Sequence, residues 1–217
     1  MKTCAVIAAK DEEAHVGKVV KETLNYVDAV IVVDDGSRDS TKKVAEASGA
    51  SVLHHVVNLG KGAAIKTGCD EAVKRGFGRI VLIDADGQHE PKEIPKFLKA
   101  LDEADLVCGI RTRRESMPLV LKFGNWFIFQ VSRMLYGVRV TDTQCGYRAF
   151  NASVWDKIRW DSSGYSMESE MLARAGRQSL KYSTIAISTI YSDKYKGTTV
   201  LDGIKIVVSL LWWRLRQ

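Results

Sequence analysis

The chain has 217 residues, 46% hydrophobic and 27% charged, an ordinary globular balance that argues against disorder and suffices for one α/β domain with a sizeable core. Its formal net charge of +6 suits an anionic partner (nucleic acid, a membrane surface or a phosphorylated substrate), and composition does not choose among these. Cys4, Cys69, Cys108 and Cys145 lie far apart with no CxxC, which argues against a zinc site or disulfide framework and for buried thiols in a reducing compartment.

Thr3–Ala8 reads as a strand. The start "MKTCAVIAAKDEE" faintly imitates a signal peptide, but its apolar run is short and acids follow at once. Glu13–Tyr26 has helical spacing, with Val16, Val19, Val20 and Leu24 on one face. Ala29–Val33 is a second strand ended by "DDGSRDST", where Ser37 or Asp39 can cap a helix through Lys42–Ser48. Ser51–His55 is a third strand, and "NLGKGAA" opens a helix to about Arg75. Ile80–Ile83 is uninterruptedly apolar and predicts a strand buried on both faces. "EPKEIPKFLKAL" follows as a helix with Pro91 near its first turn, then Asp105–Gly109 as a short strand.

The second half is less regular. Leu119–Tyr136 is helix-like and rich in aromatics, "TDTQCGYRAF" is loop then strand, "MESEMLARAG" a helix, and Lys181–Ile190 a strand. In the last segment, "VLDGIKIVVSLLWWRLRQ", Asp202, Lys205, Ser209 and Arg216 form a narrow polar wedge flanked by Trp212 and Trp213. That pattern suits a helix lying in a membrane interface or on a partner's membrane segment, the plain alternative being a helix docked on the core. No segment reaches the ~20 apolar residues that span a bilayer.

The strand–helix alternation predicts a doubly wound, mostly parallel, Rossmann-like α/β sheet, which binds ligands beyond the carboxyl ends of its strands. Acids gather at those ends: Asp11–Glu12, Asp34–Asp35 and Asp84–Asp86. Positions i and i+2 of an extended segment point the same way, so Asp84 and Asp86 converge if the strand conformation persists past Ile83. Magnesium or manganese between them relieves their repulsion, with Gln88 as a neutral oxygen and Gly87 making the turn. A solvated loop with capping acids is the bland reading of the same residues. "DADG" also matches the opening of haloacid-dehalogenase-type phosphatases, where it is expected on the first strand rather than the fourth. A carboxylate such as Asp35 can accept a base N–H or a ribose hydroxyl. Asn58–Gly62 offers backbone N–H groups at a helix N-terminus, and Lys61 an ammonium, for the phosphates of a nucleotide. A solvated surface lysine is the other reading of Lys61.

In their order, "AAKDEE", "VVDDGSRDST", "NLGKGAA", "DADGQHEP", "GIR" and "DTQCGYRAF" resemble family 2 glycosyltransferases of GT-A fold, with dolichol-phosphate mannose synthases and dolichol-phosphate glucose relatives as the nearest subgroup. The resemblance runs from Met1 to about Gly197. It implies a GT-A catalytic domain over 1–197, with a nucleotide-sugar half at 1–110 and an acceptor half at 111–197, followed by an amphipathic helix at 198–217. It further implies inverting transfer of a hexose from GDP-mannose or UDP-glucose to a polyprenyl (dolichyl) phosphate. The cofactor would be Mg2+ or Mn2+ and the place the cytoplasmic membrane face, on a membrane surface or a small membrane partner subunit, with no nucleic acid involved.

Carried over by residue, Ala8 stands where relatives have proline, and Glu12 and Asp35 contact the nucleoside. Lys61 contacts the donor, and Asp84, Asp86 and Gln88 hold the metal on its diphosphate. Arg111 and, by looser alignment, Lys122 face the acceptor phosphate, while Asp142, Gln144 and Arg148 shape the sugar and acceptor side. Asp86, Arg111 and Glu168 are the implied catalytic residues. Glu168 and Glu170 match the acidic pair of the next helix; either can act as base towards a hydroxyl acceptor, and both also suit a helix N-terminus as such. The motif Pro-x-(Tyr or Leu)-Asn-Glu of relatives is replaced by Ala8-Ala9-Lys10-Asp11-Glu12, which leaves the base open. Lys194 and Lys196 stand where relatives often carry Arg and a following Ser-Lys. A hydroxyl acceptor, or a non-catalytic nucleotide-sugar-binding subunit, are the competing readings.

Overall fold

The structure, a computed structural model, describes residues 1–112, 119–188 and 200–215; Lys194, Lys196 and Arg216 lie outside them. Seven strands form one sheet: β1 (Thr3–Ala9), β2 (Ala29–Asp35), β3 (Ser51–His55), β4 (Arg79–Leu82), β5 (Leu106–Arg111), β6 (Arg148–Asn151) and β7 (Tyr182–Ile187). Their order is β3-β2-β1-β4-β6-β5-β7, and every pairing is parallel except those of β6, which runs antiparallel between β4 and β5. The helices are α1 (Val16–Thr23), α2 (Thr41–Ala47), α3 (Lys61–Lys74), α4 (Ile94–Ala100), α5 (Leu119–Tyr136), α6 (Trp155–Ile158), α7 (Met167–Arg177) and α8 (Val200–Leu215). Thus the expected mostly parallel α/β sheet is found, and the strand expected at the end of "TDTQCGYRAF" is β6; its antiparallel direction and the short α6 are additions.

The central strands alternate between two cores. Cys4, Val6, Ile31, Val33, Ile80 and Leu82 enter one, and Ala5, Ile7, Val30, Val32, Val81 and Ile83 the other. Fully burying each such aliphatic side chain is worth about 1.5–3 kcal/mol, so a strand covered on both faces demands the unbroken apolar run of β4. The N-cap of α2 is Ser40 rather than Ser37 or Asp39, and Asp39, one residue earlier, accepts from Thr41 N at 2.9 Å.

Helix α1 starts at Val16 rather than Glu13. The residues before it are spent on a loop-to-loop seam. Asp11 N donates to Ser37 Oγ (2.9 Å), Arg38 N to Asp11 Oδ1 (2.8 Å), Glu12 N to Thr41 Oγ1 (2.8 Å) and Ser40 N to Glu13 Oε2 (2.8 Å). Asp11 adopts φ 53°, a left-handed conformation that aspartate tolerates better than most residues.

The chain's direction of travel across the sheet reverses between β1 and β4, which makes their carboxyl ends the switch point. Because β6 is antiparallel, its first residue, Arg148, pairs with Leu82 at the last residue of β4. The turn before β6 therefore lies over the same sheet edge.

Helices α5 and α8 pack on each other, and the Tyr136 hydroxyl donates to Leu210 O at 2.6 Å. Ile128, Val131, Ile206 and Leu210 are buried, whereas Phe123, Trp126, Phe127, Met134, Ile204, Val208, Leu211, Trp212 and Leu215 are exposed. So α8 docks on the protein through one stripe and leaves a second apolar stripe uncovered. No helix among the described residues is long and apolar enough to cross a membrane.

Candidate active site

A cleft of about 320 Å³ opens at the switch point. The segment after β1 lines it with Ala8, Ala9, Lys10 and Glu12; β2 contributes Asp35; the start of α3 contributes Asn58, Gly60 and Lys61. The turn after β4 supplies Asp84, Ala85 and Asp86, and Gly164 and Tyr165 close the far wall. Gly164 and Tyr165 carry no sequence signal, since nothing in the local pattern of "SSGYS" marks them.

Strand conformation does not persist past β4. A turn at Ala85–Asp86, with Gly87 at φ 73°, brings the aspartates together instead. Asp84 Oδ1 lies 2.7 Å from Lys61 Nζ, whose other neighbour is Glu168 Oε1 at 3.2 Å. Burial works against the Asp84 charge, but Lys61, then His89, hold its pKa down at about 2. Burial likewise opposes the Lys61 charge, yet Asp84 and Glu168 keep it well above the ordinary lysine range. Asp86 is different: burial and the Asp84 charge push its carboxyl up, and its Oδ1 accepts from Gln88 N at 3.0 Å. His89 is buried, stacked on Tyr147 at 5.1 Å, with Nδ1 3.8 Å from Asp84 Oδ2. Burial pushes its pKa down, against the pull of both aspartates, so it is a neutral wall of the site.

The carboxylates fit a hard divalent cation. Burial first, and then the neighbouring Asp84 charge, raise the Asp86 carboxyl, and a divalent cation beside the pair would offset both. No cluster of three His, Cys, Asp or Glu suited to a metal occurs among the described residues. The protein donors are therefore sparse, as Mg2+ accepts when substrate phosphates complete its shell. Gln88 is not among the cleft-lining residues.

The glycine-rich loop has a different job from the expected one. Leu59 N and Gly60 N donate to the Asp35 carboxylate (2.9 and 2.8 Å), and Ala63 N donates to Ser163 O (3.0 Å). The Leu59 and Gly60 donors are thus spent inside the protein and are not open to a phosphate; from that segment Asn58, Gly60 and Lys61 line the cleft. Asp35, 3% exposed, also accepts from His55 Nδ1 at 2.8 Å, and His55 Nε2 is 3.1 Å from Thr67 Oγ1. It anchors the loop where the resemblance implied a nucleoside contact. His55, the last residue of β3, is a scaffold residue that sequence reasoning missed.

The turn before β6 is equally built in. Arg111 is held by Asp142 in a two-pronged pair (Nε–Oδ2 and Nη2–Oδ1, both 2.8 Å), and Gln144 donates to Ser169 Oγ at 2.7 Å. Gly146 lies over the ion pair: a Cβ there would meet Asp84 Oδ2 at 2.7 Å and Lys61 Nζ at 3.0 Å. Arg148 is fully buried and donates to Cys145 O (3.0 Å), Glu168 O (2.7 Å) and Thr143 O (2.7 Å). It thus ties the turn to the first residues of α7 rather than meeting a ligand. Arg148→Lys is expected to cost about 2 kcal/mol by stranding buried carbonyls that a single ammonium does not reach together, read as a shift in urea midpoint.

Glu168 and Glu170 part company. Glu170 accepts from Asp161 N, Ser162 N (both 3.0 Å) and Arg174 Nε (2.9 Å), so it is a structural residue and its reading as a base is corrected. Glu168 is buried beside Lys61, and its Oε2 has no hydrogen-bond partner among the described residues. Lys122 falls on α5, with its side chain outside the described residues.

A model of the family described as Glycosyl transferase family 2 matches residues 4–159. The UDP-N-acetylglucosamine–dolichyl-phosphate N-acetylglucosaminyltransferase of Methanococcus voltae is 32% identical, over 97% of this chain and 95% of that protein. The undecaprenyl-phosphate mannosyltransferase of Micrococcus luteus is 32% identical, over 86% of this chain and 82% of its own. Among solved structures, glucosyl-3-phosphoglycerate synthase from Mycobacterium tuberculosis in complex with Mg2+ and uridine-diphosphate shares the fold with a TM-score of 0.77 at 21% identity, over 98% of this chain and 79% of that one.

Proposed function

This chain belongs to glycosyl transferase family 2 and is a glycosyltransferase, and from that premise we propose that it transfers a hexose, mannose or glucose, from a nucleotide sugar to a polyprenyl phosphate with a divalent cation at a membrane surface. The observation that carries the reading is the Asp84–Asp86 pair facing a cleft at the switch point of the sheet. The names of the two relatives support a lipid phosphate acceptor, and the fold neighbour with Mg2+ and uridine-diphosphate supports the cation.

In this reading residues 1–110 bind the donor and 111–197 the acceptor. Glu12 and the backbone at Ala8 flank the nucleoside, and Lys61, Asp84 and Asp86 surround the diphosphate. When bound, the cation offsets the charge that grows on the leaving diphosphate. Lys61 adds a fixed positive charge, and Tyr165 and Gly146 limit water beside it. The acceptor phosphate is already an anion near neutral pH, with a second pKa of about 6, so it needs orientation more than a base. Arg111, set rigidly by Asp142, provides that orientation from β5.

The membrane part of the reading is supported by the exposed stripes of α5 and α8. The two helices pack on each other and expose Phe123, Trp126, Val208 and Trp212 among other apolar groups. Replacing Phe127 and Val208 by aspartate is expected to lower partitioning onto liposomes at least about tenfold without altering donor binding, measured by co-sedimentation. Unchanged pelleting would point to a protein partner on that face.

A second reading keeps the fold and uses a hydroxyl acceptor, and the unpartnered Glu168 Oε2 is the observation that favours it. Labelled GDP-mannose and UDP-glucose, each offered with dolichyl phosphate with and without Mn2+, separate the two. Mn2+-dependent label in the organic phase is the expected result. Label passing only to sugar or glycolipid alcohols would favour the second reading over the first.

A further inference from the structure

Lys61 occupies an unusual place for a residue expected to hold a donor phosphate. Its ammonium is already engaged, 2.7 Å from Asp84 and 3.2 Å from Glu168, with Gly146 close above the Lys61–Asp84 pair. Asp84 is also the carboxylate that a cation on the aspartate pair must use. The Asp84 carboxylate thus faces two claimants, a tethered ammonium and a divalent ion.

We infer that Lys61 is a built-in counter-ion that holds the cation's place on Asp84 until the donor arrives, so that the divalent ion enters only together with the diphosphate. The inference rests on the cation site proposed above and concerns the order in which that site fills.

Charge decides the direction. Asp84, Asp86 and Glu168 set three carboxylates against the single ammonium of Lys61, a formal deficit that one divalent ion closes. A free ion therefore gains from Asp86, but it must approach within a few ångströms of the Lys61 ammonium, and like charges that close repel strongly in a half-buried site. A diphosphate changes both terms. It brings ligands for the ion and an alternative partner for the ammonium, which lines the same cleft and swings from Asp84 to phosphate while Glu168 keeps hold of it. Glu168 has the capacity for this, since its Oε2 carries no hydrogen bond among the described residues and can take the ammonium more fully. Glu168 is then a positioning residue for Lys61. A residue that only pinned the fold would not need a second carboxylate with an unused oxygen.

Calorimetric titration of the metal-free protein with Mn2+, alone and with saturating nucleoside diphosphate (UDP and GDP in separate arms), tests this on wild type, Lys61→Met and Lys61→Arg. Wild type should bind Mn2+ alone weakly and on the order of 100-fold more tightly with the matching nucleotide, a coupling of the usual two-ligand kind. Lys61→Met should bind Mn2+ alone about tenfold or more tightly than wild type and lose a similar factor of the coupling, because the competing charge is gone. Lys61→Arg, which keeps a cation, should stay close to wild type. If Lys61→Met does not fold, Lys61→Gln, which keeps hydrogen bonds without charge, gives the same readout. Mn2+ that binds wild type with nucleotide but binds the neutral variants no more tightly alone would overturn the inference and leave the cation site standing. Mn2+ that binds no variant, even with nucleotide, would overturn the cation site itself and the inference with it.

Discussion

Asp86→Asn is expected to lower transfer by about 10³-fold or more while the protein melts at a slightly higher temperature than wild type. The loss follows from removing one of the two carboxylates proposed to hold the cation. The gain in stability follows from the direction of the Asp86 shift. Burial and the Asp84 charge raise its carboxyl above the ordinary value of 3.8, so the folded chain holds that proton more firmly than the unfolded chain does. Ionised Asp86 therefore costs stability: the cost is absent below the unfolded value and grows as pH rises through the folded one. Asparagine removes it. In metal-free protein the melting advantage of the variant should appear at pH 7 and vanish near pH 3.5. A variant with wild-type turnover, or one that melts lower at pH 7, would count against the assigned role.

Gly62→Ala is expected to destabilise the fold by about 4 kcal/mol, near the upper end for a single substitution. The added Cβ would strike Ser162 O and lie 2.8 Å from Gly164 O, both backbone atoms. Neither can rotate away as a side-chain tip would. Relief requires lifting residues 162–164 from α3, which breaks the Ala63 N to Ser163 O bond and strains the Trp160 Nε1 to Gly62 O bond at 2.9 Å. Overpacking of this kind costs about 1–3 kcal/mol, and each lost buried hydrogen bond about 1 more. A urea midpoint near that of wild type would show that the segment is held less tightly than its contacts imply. Tyr165, carried on the same segment, should move with it, so donor binding should weaken even in conditions where the variant remains folded.

The parallel half of the sheet was legible because buried strands and amphipathic helices write themselves in apolar spacing. Ile80–Ile83 needs cover on both faces whatever follows, and Val16, Val19 and Val20 need one. The ends were less legible, because polar residues near a strand end have several possible partners and spacing does not choose among them. Asp11 and Glu13 went to the seam with residues 37–40, which shortened α1. The donors of Leu59 and Gly60 went to Asp35 rather than to a ligand. Gly60 and Gly62 look like a phosphate loop in sequence, yet each is a glycine because residues 162–164 press on it. That contact joins segments about a hundred residues apart, and local pattern carries no trace of it. The pairing of Asp84 with Lys61, and the division of labour between Glu168 and Glu170, are of the same long-range kind.

The late arrival of β6 has a consequence for how the molecule is made. Neighbouring β4 and β5 emerge early from a ribosome but cannot bond to each other directly, because the gap between them belongs to residues 148–151. A nascent chain that has released only its first hundred residues can assemble β1 to β4, yet it leaves β4 as a raw edge. The strand that seals this edge follows directly on Gly146, which lies over the Asp84–Lys61 pair, so closure of the β4 edge and the covering of that pair are a single late event in synthesis.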